Sequence, residues 1–183
     1  MKNIALKNSL LLLFFVSTIF LSCKKDLGVI QPKPVDSFLP MQVGNLWYAN
    51  KENYTEIQDS TLINGKLFYK FFSLIGGDGI SISYLRIDEQ GKLIASDPKY
   101  PDLRVIRADF NAKVGDVFFT MGSGTDTDQQ VTVTEKTDSE MRFSFDSIYH
   151  PNLKGHPFVV GYIKGQGFLG TWTKLRINGV QIK

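Results

Sequence analysis

Met141, Phe143 and Phe145 alternate with Arg142, Ser144 and Asp146, and Val131 and Val133 alternate with Gln130, Thr132 and Thr134. A two-residue period places one apolar and one polar row on opposite sides of an extended strand. From Met41 to Phe145 the chain offers many short runs rich in Ile, Val, Tyr, Phe and Thr, bounded by Gly, Asn and Asp, and no long stretch with a helical stripe. Asn64-Gly65 and Asn178-Gly179 are dipeptides of two-residue hairpins, and Asp88 to Gly91 makes a turn between two further strands. The pattern predicts an all-β domain: an antiparallel meander of about nine to eleven strands, forming a strongly curved sheet or a partly closed barrel.

One predicted strand, Leu67 to Leu74, departs from simple alternation because Phe68, Phe71 and Phe72 crowd together. Both of its faces then carry large apolar groups. One face can join the core, and the other must be covered by a loop, by the rest of the sheet, or by a ligand or partner. Phe68 and Phe72 are therefore the candidate ligand-binding residues. A weak repeat is also present: Val43-Gly44-Asn45-Leu46-Trp47-Tyr48 matches Val114-Gly115-Asp116-Val117-Phe118-Phe119, 71 residues later. Each copy reads as a turn entering a strand, with the glycine taking a backbone angle closed to other residues.

The first segment breaks the β pattern. Lys2 and Lys7 precede an apolar run from Leu10 to Leu21, shorter than the roughly 20 residues that span a bilayer, so residues 1–22 read as a signal helix. The run ends Phe20-Leu21-Ser22-Cys23, and Cys23 is the only cysteine of the chain. This ending resembles a bacterial lipobox, although Phe20 stands where that signature places an aliphatic residue. The resemblance implies acylation of Cys23 and cleavage before it. The other reading is an ordinary signal peptide or an uncleaved anchor in which Cys23 is incidental. Residues 24–37, KKDLGVIQPKPVDS, lack periodicity and contain Gly28, Pro32 and Pro34, which predicts a tether able to stretch roughly 45 to 50 Å. The single folded domain is expected over 38–183.

Charge narrows the partners. Once Lys2 and Lys7 leave with the signal, 19 basic residues face 18 acidic ones. Without a basic stripe, and without aromatics interleaved among arginines, nucleic acid is not an expected partner. Membrane lipid, reached through acylated Cys23, is, and an envelope protein or an apolar ligand is the further candidate.

Phe38-Leu39-Pro40-Met41-Gln42-Val43-Gly44-Asn45-Leu46-Trp47-Tyr48, the segments from Leu85, Asp109 and Gly161, and the Ser-Cys-Lys-Lys-Asp start at Ser22 are together similar to small lipoproteins common in Bacteroidota. The resemblance spans nearly the whole chain. It implies attachment in the bacterial cell envelope, at the outer membrane and facing the periplasm, and no particular chemistry. Some lipoproteins of that group reach the cell surface through an acid-rich stretch after the cysteine, represented here by Asp26 alone.

Candidate chemistry is thin. His150 and His156 flank a Pro- and Gly-containing loop with Asp146 nearby, a spacing that fits no established metal motif. Gly122 to Asp128 carries Asp126 and Asp128 yet lacks the glycine and glutamate positions of a calcium loop, and reads as a solvated hairpin loop. Gly165, Gly167 and Gly170 precede no helix that would hold an anion, and read as a bend or bulge. No nucleophile motif and no cofactor motif is present. The expected function is a binding or interaction module rather than an enzyme. A carrier of lipid or another apolar ligand in a concave sheet face is the alternative, and a hydrolase is the less favoured third reading.

Overall fold

A computed structural model describes residues 36–183. Cys23, the signal and the tether before Asp36 lie outside the described residues. Thirteen strands are present and no α-helix among the described residues: β1 (Leu46–Asn50), β2 (Asn53–Ile63), β3 (Lys66–Ile75), β4 (Gly79–Ile87), β5 (Lys92–Asp97), β6 (Tyr100–Asp109), β7 (Val117–Phe119), β8 (Gln130–Lys136), β9 (Glu140–Asp146), β10 (Phe158–Ile163), β11 (Gly167–Phe168), β12 (Lys174–Ile177) and β13 (Val180–Gln181). All pairings are antiparallel.

The strands form two sheets, neither closed on itself: an eight-stranded sheet ordered β13-β12-β1-β2-β3-β4-β5-β6 and a five-stranded sheet ordered β11-β10-β9-β8-β7. Each is a meander, and the chain returns at β12 to pair with β1. The count exceeds the nine to eleven expected because β11 and β13 have two residues each, too few to display a period.

One core lies between the sheets. Val131, Val133, Met141, Phe143 and Phe145, the apolar rows of the alternating strands, are each at most 3% exposed. Trp47 on β1 is fully buried, 6.1 Å from the Phe71 ring and edge-on to Phe168 at 5.1 Å, which joins the large sheet to the small one. Its indole N–H donates to the Gln166 carbonyl at 2.7 Å. Gly167 sits against that ring at φ 91°, and a Cβ there would lie 2.6 Å from Trp47 Cζ2. The glycines around Gln166 thus make room for a tryptophan. The domain engages the chain from Asp36, whose carboxylate pairs with Lys164 at 3.0 Å, and from Ser37, whose carbonyl accepts from the Gly165 N–H.

The repeat has one geometry in both copies. The Asn45 N–H donates to Gln42 and the Asp116 N–H to Lys113, closing turns with Gly44 at φ 90° and Gly115 at φ 91°. Ile57 then exchanges backbone hydrogen bonds with Gly44 and Asn45, and Val133 does the same with Gly115 and Asp116. The side chains diverge. Asn45 is buried, donating to the Pro40 carbonyl and accepting from the Asn178 N–H, whereas Asp116 accepts from the Lys113 N–H of its own turn.

Candidate functional site

Strand β3 sorts its aromatics by parity. Tyr69 and Phe71 face the core, at 4% and 1% exposure, while Phe68, Lys70, Phe72 and Leu74 face outward. The two candidate residues then meet different surroundings. Pairing of β3 with β4 begins at Tyr69–Leu85, so the hairpin tip beyond it is free of β4. That tip crosses the outer face. Asn64, at the β2–β3 turn, donates to the Pro101 carbonyl and to Asp102 at the start of β6, each at 3.1 Å. In a flat sheet β2 and β6 would stand about 19 Å apart. A register irregularity between Ile57 and Asp59 leaves Gln58 unpaired in β2, which is where a bulge bends a strand. Phe68 is covered by this arrangement, packed with Ile63, Ile94 and Tyr84 and with the Arg86 guanidinium 5.8 Å above its ring. Phe72 is left half-buried, on the part of the face that the tip does not reach.

That open part crosses four strands. Cross-strand pairing puts Tyr48 beside Tyr54, Tyr54 beside Leu74, Leu74 beside Ile80 and Phe72 beside Ile82. Tyr48 and Tyr54 stack at 6.2 Å, Tyr54 lies 5.9 Å from Phe72, and Ile80 and Ile82 are 65% and 51% exposed. The alternation is inverted here. Thr55, Ser73, Ser81 and Ser83 take the inward parity, with the Thr55 and Ser73 hydroxyls hydrogen-bonded at 2.8 Å, and the aliphatic and aromatic side chains take the outward one. Charges of both signs edge the face: Lys174 lies 5.2 Å from the Tyr48 ring centre, and Arg176 pairs with Glu56. The Ile-Ser-Ile-Ser writing of Ile80 to Ser83 carried the signal for this face, but nothing in the sequence told which parity would point inward.

The loop candidates resolve into local structure. His150 accepts the Asn152 N–H at Nδ1, and Asp146 accepts the Gly155 N–H across the loop. Among the described residues no three His, Cys, Asp or Glu side chains gather as a metal site. Gly122 to Thr127 form the exposed hairpin loop expected between β7 and β8, and Asp128 alone departs from it: it is fully buried. Its Oδ1 accepts from the Thr120 hydroxyl and Met121 N–H, and its Oδ2 from the Gly124 N–H. Burial pushes the Asp128 carboxyl up, but the hydrogen bonds from Met121, Gly124 and Thr120 outweigh it and hold the pKa below the ordinary value. A carboxylate with a lowered folded pKa stabilises the fold above its unfolded pKa of about 3.9 and loses that contribution as pH falls through the folded value. Asp128→Asn, which offers an amide to at least one of these donors, is expected to cost roughly 2 to 3 kcal/mol in urea unfolding at neutral pH. The difference from the parent should shrink below about pH 4.

A shallow hollow of about 450 Å³ lies beside the second repeat turn, lined by Gln90, Lys92, Asp109, Asn111, Asp116 and Phe118 among others. Its polar groups largely brace the turns. Asp109 accepts the Asn111 N–H, Asp116 accepts the Lys113 N–H, and the Asn111 amide donates to the Gln90 carbonyl. The space between the sheets is occupied by Trp47, Phe71, Met141 and Phe143, each at most 1% exposed. Compared with family models, curated proteins and solved structures, the chain matches none.

Proposed function

We propose that this chain is an envelope lipoprotein, anchored through acylated Cys23, whose β domain acts as a binding or interaction module through the open outer face of β1–β4. The observation that carries the second half of this reading is the inverted alternation. A strand with period-two writing turns its apolar row toward whatever buries it, and here that row, Leu74, Phe72, Ile80 and Ile82, points away from the domain's own core. Contiguous exposed apolar surface of this kind marks an interaction site. The lipobox-like ending and the single cysteine support the first half.

Cysteine chemistry tests the covering. Acylation leaves no free thiol in the chain, so Ile82→Cys introduces a single reactive group. In purified protein it should react with a maleimide as fast as Leu62→Cys, a control position 69% exposed on the hairpin tip. In isolated native envelopes the thiol at position 82 should react about tenfold more slowly while the control is unchanged, because a covered patch excludes solvent. Equal rates at both positions in envelopes would contradict the reading.

A further inference from the structure

We infer that the occupant of the open face is the lipid surface itself: Tyr48, Tyr54, Phe72, Ile80 and Ile82 rest on the bilayer to which the chain is anchored. The inference builds on the anchored-module reading and names its partner. Half of the outer face is covered by the chain's own β2–β3 tip, with Ile63 and Phe68 closing over Ile94 and Tyr84. The other half presents two tyrosines, a phenylalanine and two isoleucines across adjacent strands, with the Lys174 ammonium over one tyrosine ring. Aliphatic side chains able to enter the acyl boundary, beside tyrosines with a polar tip and a lysine that snorkels, form the composition of a surface lying at a membrane interface.

Reach selects this occupant over a second copy. Residues 24–37 extend at most roughly 45 to 50 Å, and the domain already grips the chain at Asp36. The anchor then holds the domain within that distance of the bilayer, whereas another copy must be met by diffusion. Charge adds a second feature. Of the two cations at this edge Arg176 is paired with Glu56, and the face itself is built of tyrosine, phenylalanine and isoleucine, so contact rests on apolar burial rather than on anionic headgroups.

The test uses the mature-length chain, residues 23–183, carrying Cys23→Ser so that no acyl group holds it. It should sediment with neutral phosphatidylcholine vesicles and continue to do so in about 0.5 M salt, where exposed charges are screened. Adding Ile80→Asp and Ile82→Asp should lower the partition coefficient about tenfold or more with the melting temperature unchanged. The milder pair Ile80→Ser and Ile82→Ser should move it in the same direction and guards against misfolding of the first. Unaltered partition of both pairs, absence of vesicle binding by the parent, or a dimer in place of vesicle binding that the substitutions abolish would each overturn the inference. Palmitate labelling of the unmodified chain reports on the anchor separately, so failure of the face and failure of the anchor are distinguishable.

Discussion

Trp47→Ala is expected to cost about 3 to 5 kcal/mol, the range for removing a large buried aromatic, and to leave much of the protein unfolded if its margin lies near the low end of the usual 5 to 15 kcal/mol. Trp47 is fully buried at the junction of the sheets, touching Phe71 from one and Phe168 from the other, so its cavity cannot collapse without moving one sheet toward the other. Trp47→Phe should cost less, retaining ring packing and losing the hydrogen bond to Gln166. Gly167→Ala should also destabilise, since its Cβ would stand 2.6 Å from the indole at a positive φ. The two sites are coupled. In the Trp47→Ala background, Gly167→Ala should cost markedly less, because the steric part disappears and only the backbone part remains. Urea unfolding of the four members of the cycle measures this, and simple additivity would contradict the assigned contact.

Cys23→Ser is expected to abolish metabolic palmitate labelling entirely and to turn stable anchoring into reversible binding, so that repeated washing releases the protein from membranes into the soluble fraction. Cys23 is the chain's only thiol and stands directly after the apolar run, so no second cysteine can take the modification. Stable anchoring requires more than one acyl chain or a second contact, since a single chain binds reversibly. Labelling that survives the substitution would remove the lipoprotein reading. Labelling that disappears while part of the protein stays on membranes would agree with the added contact of the outer face.

The elements most legible in the sequence were those with strict alternation. Val131 and Val133 on β8, and Met141, Phe143 and Phe145 on β9, bury the predicted row, and the Asn-Gly pairs make hairpins with positive φ at Asn64 and Asn178. Local chemistry decides such features, so local reading finds them. Which sheet a strand joins is decided by long-range packing. The division into two sheets was accordingly not legible, nor was the return of β12 to β1. The repeat disclosed its turn geometry, since glycine at that position is a backbone requirement, but not the burial of Asn45, which depends on a hairpin more than 130 residues away. Phe68 and Phe72 looked equivalent in sequence, and only the folding over of the Asn64 tip separates them. Asp128 read as one of two loop carboxylates. Its burial follows from converging N–H groups that no spacing rule announces.

The central claim is that the outward apolar row of β3 and β4 is in contact with something in the native envelope. A photo-activated benzophenone amino acid placed at position 82 in living cells reads this contact directly, with the same group at position 62 as control. The account predicts covalent adducts from position 82, seen as a lipid-sized mass increase on the peptide that contains it, and none from position 62. Unmodified peptide from both positions after irradiation would contradict it.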